Sequence, residues 1–213
     1  MSLPPEAFRA WLASRLDPLD AASAKAAWAR ADFDLDPGGA SAPPASPIPA
    51  AVLVCLVHRP EGHSVILTRR SDSLRSHTGQ VALPGGRCEP GETPWAAALR
   101  EAEEEIGLAR ARVTLGGLST PYRTGTGFHV TPVVGFVEPE VSLAPNPDEV
   151  ADIFEAPFDL LMDLSNYEPR EGRTPAGDVR RYYALTWRDQ LIWGATAGML
   201  RALSERLSGD VRP

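Results

Sequence analysis

Gly86-Arg87-Cys88-Glu89-Pro90-Gly91-Glu92, continued by Thr93-Pro94 and then by Arg100-Glu101-Ala102-Glu103-Glu104-Glu105-Ile106-Gly107-Leu108, decides how this chain is read. A glycine loop leads into a short acidic turn, a helix, and a second glycine where that helix must stop. Thr93 suits the N-cap, Pro94 suits the first helical position, where a missing N–H costs nothing, and Gly107 suits the left-handed C′ position. The spacing predicts a helix of about three turns. On it Glu101, Glu104 and Glu105 stand at i, i+3 and i+4, which brings their side chains to one face. Carboxylates so close repel one another, and a hard divalent cation with oxygen ligands would offset that repulsion. Arg100 projects about 100° away from Glu101 around the helix and is placed to reach Glu92 or Glu104, pinning the loop to the helix.

Alone, a glutamate run on a helix is most often a solvated face. Here it sits in a larger pattern. The stretch resembles the Nudix box, G-x5-E-x7-R-E-U-x-E-E-x-G-U, with Gly86, Glu92, Arg100, Glu101, Glu104, Glu105, Gly107 and Leu108 all in register. Ala102 departs from the pattern, standing where the family usually has a larger aliphatic residue. The resemblance implies an α/β fold, a Nudix-type α/β/α sandwich with a mixed β-sheet. It also implies metal-assisted hydrolysis of a nucleoside diphosphate linked to another moiety. Glu101, Glu104 and Glu105 would coordinate Mg²⁺ or Mn²⁺, which neutralises pyrophosphate charge and lowers the pKa of water for attack on phosphorus. Glu92 and Arg100 would support the box.

A second motif narrows the substrate. Leu67-Thr68-Arg69-Arg70-Ser71, then Arg75, Gly79 and Leu83-Pro84-Gly85-Gly86, resembles the signature L-T-x-R-S-x3-R-x3-G-x3-[FL]-P-G-G of the coenzyme A pyrophosphatase branch, and Leu74 to Gln80, including His77, strengthens the match. Coenzyme A carries a pyrophosphate in its middle and a 3′-phosphate on its ribose. Guanidinium groups bind phosphate with paired donors, so Arg70 and Arg75 are specificity candidates, with His77 beside them. Gly85 and Gly86 would let the backbone approach the pyrophosphate, having no Cβ to obstruct it. The expected products are 3′,5′-ADP and 4′-phosphopantetheine, or acyl-phosphopantetheine from an acyl derivative.

The general base is open among Glu149, which precedes a strand in Asn146-Pro147-Asp148-Glu149-Val150, and His77 and His129. Rival readings are a Nudix hydrolase of ADP-ribose or NADH, a non-catalytic Nudix-like ligand sensor, and a prenyl diphosphate isomerase on the same fold. The first does not explain the arginine signature, the second fits poorly with three retained acidic residues, and the third lacks a well-placed cysteine.

Composition sets the outer bounds. The 213 residues suffice for one good core, and 43% hydrophobic with 23% charged content is ordinary for a soluble globular protein. A net charge of −7 argues against a general nucleic-acid backbone binder. Cys55 and Cys88 are too few for a disulfide framework and match no zinc spacing, which fits a reducing cytoplasm. No apolar run suits a signal peptide or a membrane span, so a cytoplasmic protein acting on a small molecule, with no membrane or nucleic-acid partner, is expected.

In chain order, helical patterns over Pro4 to Leu16 and Leu19 to Phe33 form an N-terminal extension, residues 1–36. The apolar stripe of Phe8, Trp11, Leu12 and Leu16 must cover the catalytic domain or make a homodimer contact. Residues 37–49, rich in Pro, Ala, Gly and Ser, read as a linker, and residues 50–208 as the catalytic domain. Ala51 to His58 and Val65 to Arg70 predict a hairpin. After a polar loop Val81 to Leu83 leads into the glycines of the box, and further strands are expected at Val113 to Thr120, Phe128 to Val137, Val150 to Phe154 and Arg181 to Trp187. A short helix is expected over Phe158 to Asp163 and a final one over Gln190 to Leu207.

Overall fold

The computed structural model describes residues 3–26, 30–35, 46–71, 79–173, 177 and 179–209. The chain begins with α1 (Pro5–Ala13), a single turn α2 (Ala21–Ala24) and a short strand β1 (Arg30–Ala31). It continues through β2 (Ile48–Arg59), β3 (Gly62–Arg70), β4 (Val81–Ala82), β5 (Gly85–Arg87) and the helix of the glutamate run, α3 (Pro94–Ile106). Then come β6 (Val113–Leu118), β7 (Tyr122–Arg123), β8 (Phe128–Val137), β9 (Val150–Pro157) and α4 (Phe158–Met162). The last elements are β10 (Glu168–Arg173), β11 (Val179–Trp187), β12 (Gln190–Trp193) and α5 (Ala195–Ser208).

The fold is an α/β sandwich around a mixed sheet of nine strands among the described residues, with the path β1-β7-β8-β2-β3-β4 and with β5, β6 and β9 paired to β2, β8 and β3. β2 runs parallel to β8 over its length, Ile48 opposite Phe128 through Val57 opposite Val137, and antiparallel to β3. The apolar run of β2 is continuous because both of its faces are buried. Ala50, Val54 and Leu56 pack into a core with α1, α4 and α5, whereas Ala51, Leu53, Cys55 and Val57 pack under α3. A separate antiparallel sheet, β10-β11-β12, closes the first side. Among the described residues no helix is long and apolar enough to cross a membrane.

The structure departs from the sequence reading at several places. The helix expected over Leu19 to Phe33 is one turn, capped by Asp20, whose carboxylate accepts from Ser23 N–H at 2.7 Å. Arg30 and Ala31 instead pair in parallel with Tyr122 and Arg123, and Asp32 fastens them there by accepting from Tyr122 Oη at 2.9 Å and Gly125 N–H at 2.7 Å. Trp28 and most of the predicted linker lie outside the described residues. The final helix starts at Ala195 rather than Gln190, because Gln190 to Trp193 pair with β11 before Gly194 turns the chain with φ 63°. Gly85 to Arg87, read as loop, form a strand against Ala50 to Val52.

The N-terminal segment is packed onto the rest. Phe8 and Leu12 are buried in the α5-side core, Asp17 bridges to Leu118 through both backbone bonds, and its carboxylate takes two bonds from Arg206 at 3.0 and 2.7 Å.

Candidate active site

α3 forms as its boundary residues require. Thr93 Oγ1 accepts from Ala96 N–H at 3.3 Å, Pro94 follows, and Gly107 ends the helix with φ 66°. Ala97, Ala98, Ala102 and Ile106 form the buried stripe, and three alanines let the helix lie close to β2 and β5. Ala102, the departure from the box pattern, is fully buried in that stripe.

Close approach puts Glu101 against Gly86. A Cβ built on Gly86 would lie 2.5 Å from Glu101 Cδ, so only glycine leaves room for that carboxylate. One turn on, Glu105 is 4% exposed and accepts from Gly85 N–H at 3.1 Å. Burial pushes the Glu105 carboxyl up to about 7, Gly85 and Arg70 pull the other way, and the fields of Glu101 and Glu149 add to the rise. Glu101 is raised as well, first by burial and then by Glu104 and Glu149, against the pull of Arg100. Glu104 is the exposed member of the three.

Arg100 ties this group to the preceding loop. Its Nε and Nη2 donate to the two oxygens of Glu92, each at 3.0 Å, and Nη2 also donates to the Arg87 carbonyl at 3.0 Å. Nη1 donates to Glu101 at 2.9 Å and Glu104 at 3.1 Å. Those bonds hold the Glu92 carboxyl below its ordinary range, helped by the Glu89 N–H that donates to it at 2.9 Å. Glu92 thereby closes the acidic turn and orients Arg100, the pinning that the spacing suggested.

The structure brings Glu149 to the same cluster. Asn146 N–H donates to the Glu105 carbonyl at 2.8 Å, Glu149 N–H to the Asn146 carbonyl at 3.0 Å, and Ser71 N–H to the Glu149 carbonyl at 2.9 Å. This turn therefore hangs between the C-terminal end of α3 and the residue after Arg70. Asn146 and Ser71 were not singled out from the sequence as positioning residues; the Asn-Pro-Asp turn signal was the clue available. Arg70 Nε is buried with no hydrogen-bond partner among the described residues, and its charge favours ionised Glu105. Arg75 and His77 lie outside the described residues. His129 lies elsewhere, beside Trp95 and Cys88 in a cavity at the other end of α3.

The donor set fits a hard divalent cation. Glu101 and Glu105 are half-buried and buried carboxylates, both raised first by burial and then by neighbouring carboxylates, Glu104 and Glu149 for Glu101 and Glu101 and Glu149 for Glu105, and added positive charge would relieve both costs. Among the described residues no three His, Cys, Asp or Glu side chains stand converged in an arrangement that could hold a metal ion by themselves. Arg100 is the cation facing Glu101 and Glu104.

Comparison with known proteins agrees with this geometry. Residues 47–177 match the NUDIX domain family. The chain is 40% identical over 160 residues to an uncharacterised Nudix hydrolase, NudL, of Yersinia pestis (strain Pestoides F), covering 75% of this chain and 79% of that protein. The NudL of Yersinia pseudotuberculosis serotype O:1b matches equally. Among solved structures, a C. elegans Ap4A hydrolase superposes with a TM-score of 0.47 at 19% identity, over 55% of this chain and 86% of that one. RenU, a Nudix hydrolase of M. smegmatis, gives 0.46 at 26% identity, over 55% and 74%. With the box on α3, its glycines against Glu101 and Glu105, and a family match over more than half of its length, this chain belongs to the Nudix hydrolase family.

Proposed function

We propose that this protein hydrolyses the pyrophosphate bond of coenzyme A or its derivatives, releasing 3′,5′-ADP and 4′-phosphopantetheine or its acyl form. One observation carries the reading: the Arg70 guanidinium, with Nε buried and unpaired among the described residues, stands in the field of Glu105, which itself holds Gly85 N–H. An unpaired buried donor whose charge acts on the same carboxylate that holds Gly85 N–H suits a phosphate oxygen, which would satisfy it. Arg75 and His77, from the same motif, are assigned to the substrate on the strength of the sequence.

Glu101, Glu104 and Glu105 would hold Mg²⁺ or Mn²⁺, which supplies charge neutralisation at the pyrophosphate and acidifies water. The protein's own groups do the rest. Gly85 and Gly86 line the diphosphate, Arg70 draws off charge as the bridging P–O bond breaks, and Arg100 keeps Glu101 and Glu104 aligned. Glu149 is assigned as acceptor of the proton that water loses when its oxygen adds to phosphorus, because its charge already acts on Glu101 and Glu105. Cys55 and Cys88 are both free thiols, consistent with a cytoplasmic setting.

Product analysis by chromatography tests the reading. Purified protein with Mg²⁺ is incubated separately with coenzyme A, dephospho-coenzyme A, ADP-ribose and NADH, with a chelator control. Metal-dependent 3′,5′-ADP from coenzyme A, with slower cleavage of the dephospho form, is expected. Preference for ADP-ribose or NADH would overturn the coenzyme A assignment and leave the hydrolase, and no cleavage of any substrate would overturn the enzyme.

A further inference from the structure

A cavity of about 440 Å³ lies at the N-terminal end of α3, lined by Ala24, Ala50, Cys88, Pro94, Trp95 and His129 among others. His129 and Thr131 are two apart on β8 and share the face of Val133, which packs under α3, so the cavity is on the α3 side of the sheet. Its size falls within the roughly 300–1,000 Å³ of small-ligand sites. Its lining is mainly apolar, with one unsatisfied polar group: His129 Nε2 is buried and has no hydrogen-bond partner among the described residues. Burial lowers the proton affinity of this imidazole, which favours its neutral form. A neutral ring nitrogen in an apolar wall wants an amide rather than an ion or a bare hydrocarbon.

The cavity is joined to the catalytic group through one ion pair. Glu92 lines it, and the Arg100 guanidinium that holds Glu92 also holds Glu101 and Glu104. One wall, Ala21, Ala24 and Lys25, comes from the N-terminal segment and lies outside the residues that match the family. Lys25 and Glu92 both line it and no guanidinium does among the described residues, so it lacks the paired donors that suit the 3′-phosphate end of the substrate.

We propose that this cavity receives the pantetheine arm of the substrate and the acyl chain it carries, with His129 bonded to an arm amide and the N-terminal segment forming one wall. The assignment rests on the coenzyme A reading above. The arm is uncharged, carries two amides on a largely methylene chain, and leaves the pyrophosphate in one direction, which matches a mainly apolar cavity with an imidazole in its wall, Lys25, Glu92, Thr93 and Thr131 being its other polar lining among the described residues.

Cys88 provides a direct readout, because it lines the cavity while Cys55 is fully buried. Burial and the charges of Glu92 and Glu101 keep the Cys88 thiol protonated, so alkylation is slow and easily followed. The experiment measures N-ethylmaleimide labelling of the intact protein by mass, with Cys88→Ser assigning the site, in the presence of S-methyl, S-butyl and S-hexyl pantetheine thioethers or of 3′,5′-ADP. The thioethers have no pyrophosphate and no free thiol, so they are neither hydrolysed nor alkylated. Protection of Cys88 should strengthen by up to about fourfold per added methylene until the cavity is full, and 3′,5′-ADP should give none. Ala24→Trp, which fills the cavity, should erase the gradient. Protection by 3′,5′-ADP, or no protection by any thioether, overturns the proposal. Absence of coenzyme A cleavage in the product assay overturns the function instead, whatever the labelling shows.

Discussion

Arg100 grips Glu92 with two parallel bonds of 3.0 Å, and the two side chains are only 15% and 14% exposed. A fork of this kind, shielded from water, contributes more than the exposed pair that Glu103, in the last turn of α3, makes with Arg110. Arg100→Met should lower stability by about 2 kcal/mol, because Glu92, Glu101 and Glu104 lose their shared donor. Thermal unfolding should then shift down by about 4–8 °C. Arg100→Lys should recover less than half of that, since an ammonium cannot bond both oxygens and the Arg87 carbonyl together. A shift no larger than that of Arg110→Met would reduce the fork to an ordinary surface pair.

The neighbouring glycines should fail in different ways. A Cβ on Gly85 meets the Val52 backbone, with Cα 2.6 Å away, so Gly85→Ala should destabilise the chain by about 1–3 kcal/mol. A Cβ on Gly86 meets only the end of the Glu101 side chain, which can rotate away. Gly86→Ala should therefore unfold close to the wild-type temperature while hydrolysis drops about 10²-fold from the displaced carboxylate. Comparing melting temperature with kcat for the pair checks this, and full activity in Gly86→Ala would remove Glu101 from its assigned role.

Glu105 offers a test of the cation. Glu105→Gln keeps an oxygen for Gly85 N–H and removes a charge that burial disfavours, so without metal the variant should be at least as stable as wild type. Mg²⁺ should stabilise the wild type by about 1.4 kcal/mol for each tenfold excess over its dissociation constant, and the variant far less. Hydrolysis should fall by roughly 10²-fold or more. Equal metal-induced shifts in the two proteins, read by differential scanning fluorimetry, would take Glu105 out of the ligand set.

These side chains show which parts of the molecule were open to reading from sequence. Thr93, Pro94 and Gly107 act on their own backbone, so the ends of α3 followed from residue type alone. Glu101, Glu104 and Glu105 share a face by helical period, and the Arg100 reach to Glu92 and Glu104 followed from the same geometry. β2 and β8 were visible as long apolar runs because both their faces are buried. What stayed hidden depends on partners distant in sequence. Arg30 and Ala31 become a strand only because Tyr122 and Arg123 offer an edge, and β10 carries Glu168, Arg170, Glu171 and Arg173, whose polar alternation advertises no core. The cavity beside Trp95 combines residues from four separate stretches, and no local pattern announces it.

A pH dependence follows from the ring pair at the foot of α1. His63 stacks on Phe8 with centroids 3.7 Å apart and planes 16° from parallel. Burial, then the positive fields of His58 and Arg9, hold its pKa below the ordinary histidine value, with Asp159 opposing. Below about pH 6.5 the unfolded chain takes up a proton that the folded chain still refuses, so stability should fall with falling pH until the folded pKa is passed. His63→Phe keeps the stack and removes the proton. Urea midpoints at about pH 7.5 and about pH 5.5 should therefore drop further in wild type than in the variant. Equal drops would mean that His63 is already charged in the fold.

The segment before the catalytic domain should unfold together with it. Leu12 is fully buried, and Phe8 meets Phe158 edge-on at 5.1 Å, so α1 contributes to the same core as α4 and α5. Asp17 then fastens the exit of that segment to Arg206 and to Leu118. A core leucine truncated to alanine loses its transfer free energy and leaves a cavity, about 3 kcal/mol together. If α1 is integral, Leu12→Ala should lower the single unfolding transition by that amount, whereas Leu3→Ala, at a position 44% exposed, should change it by less than about 0.5 kcal/mol. If the segment were an independent appendage, Leu12→Ala would leave the main transition where it is and at most loosen a minor one. Calorimetry distinguishes the two outcomes, and the burial of Leu12 in the shared core favours one cooperative unit.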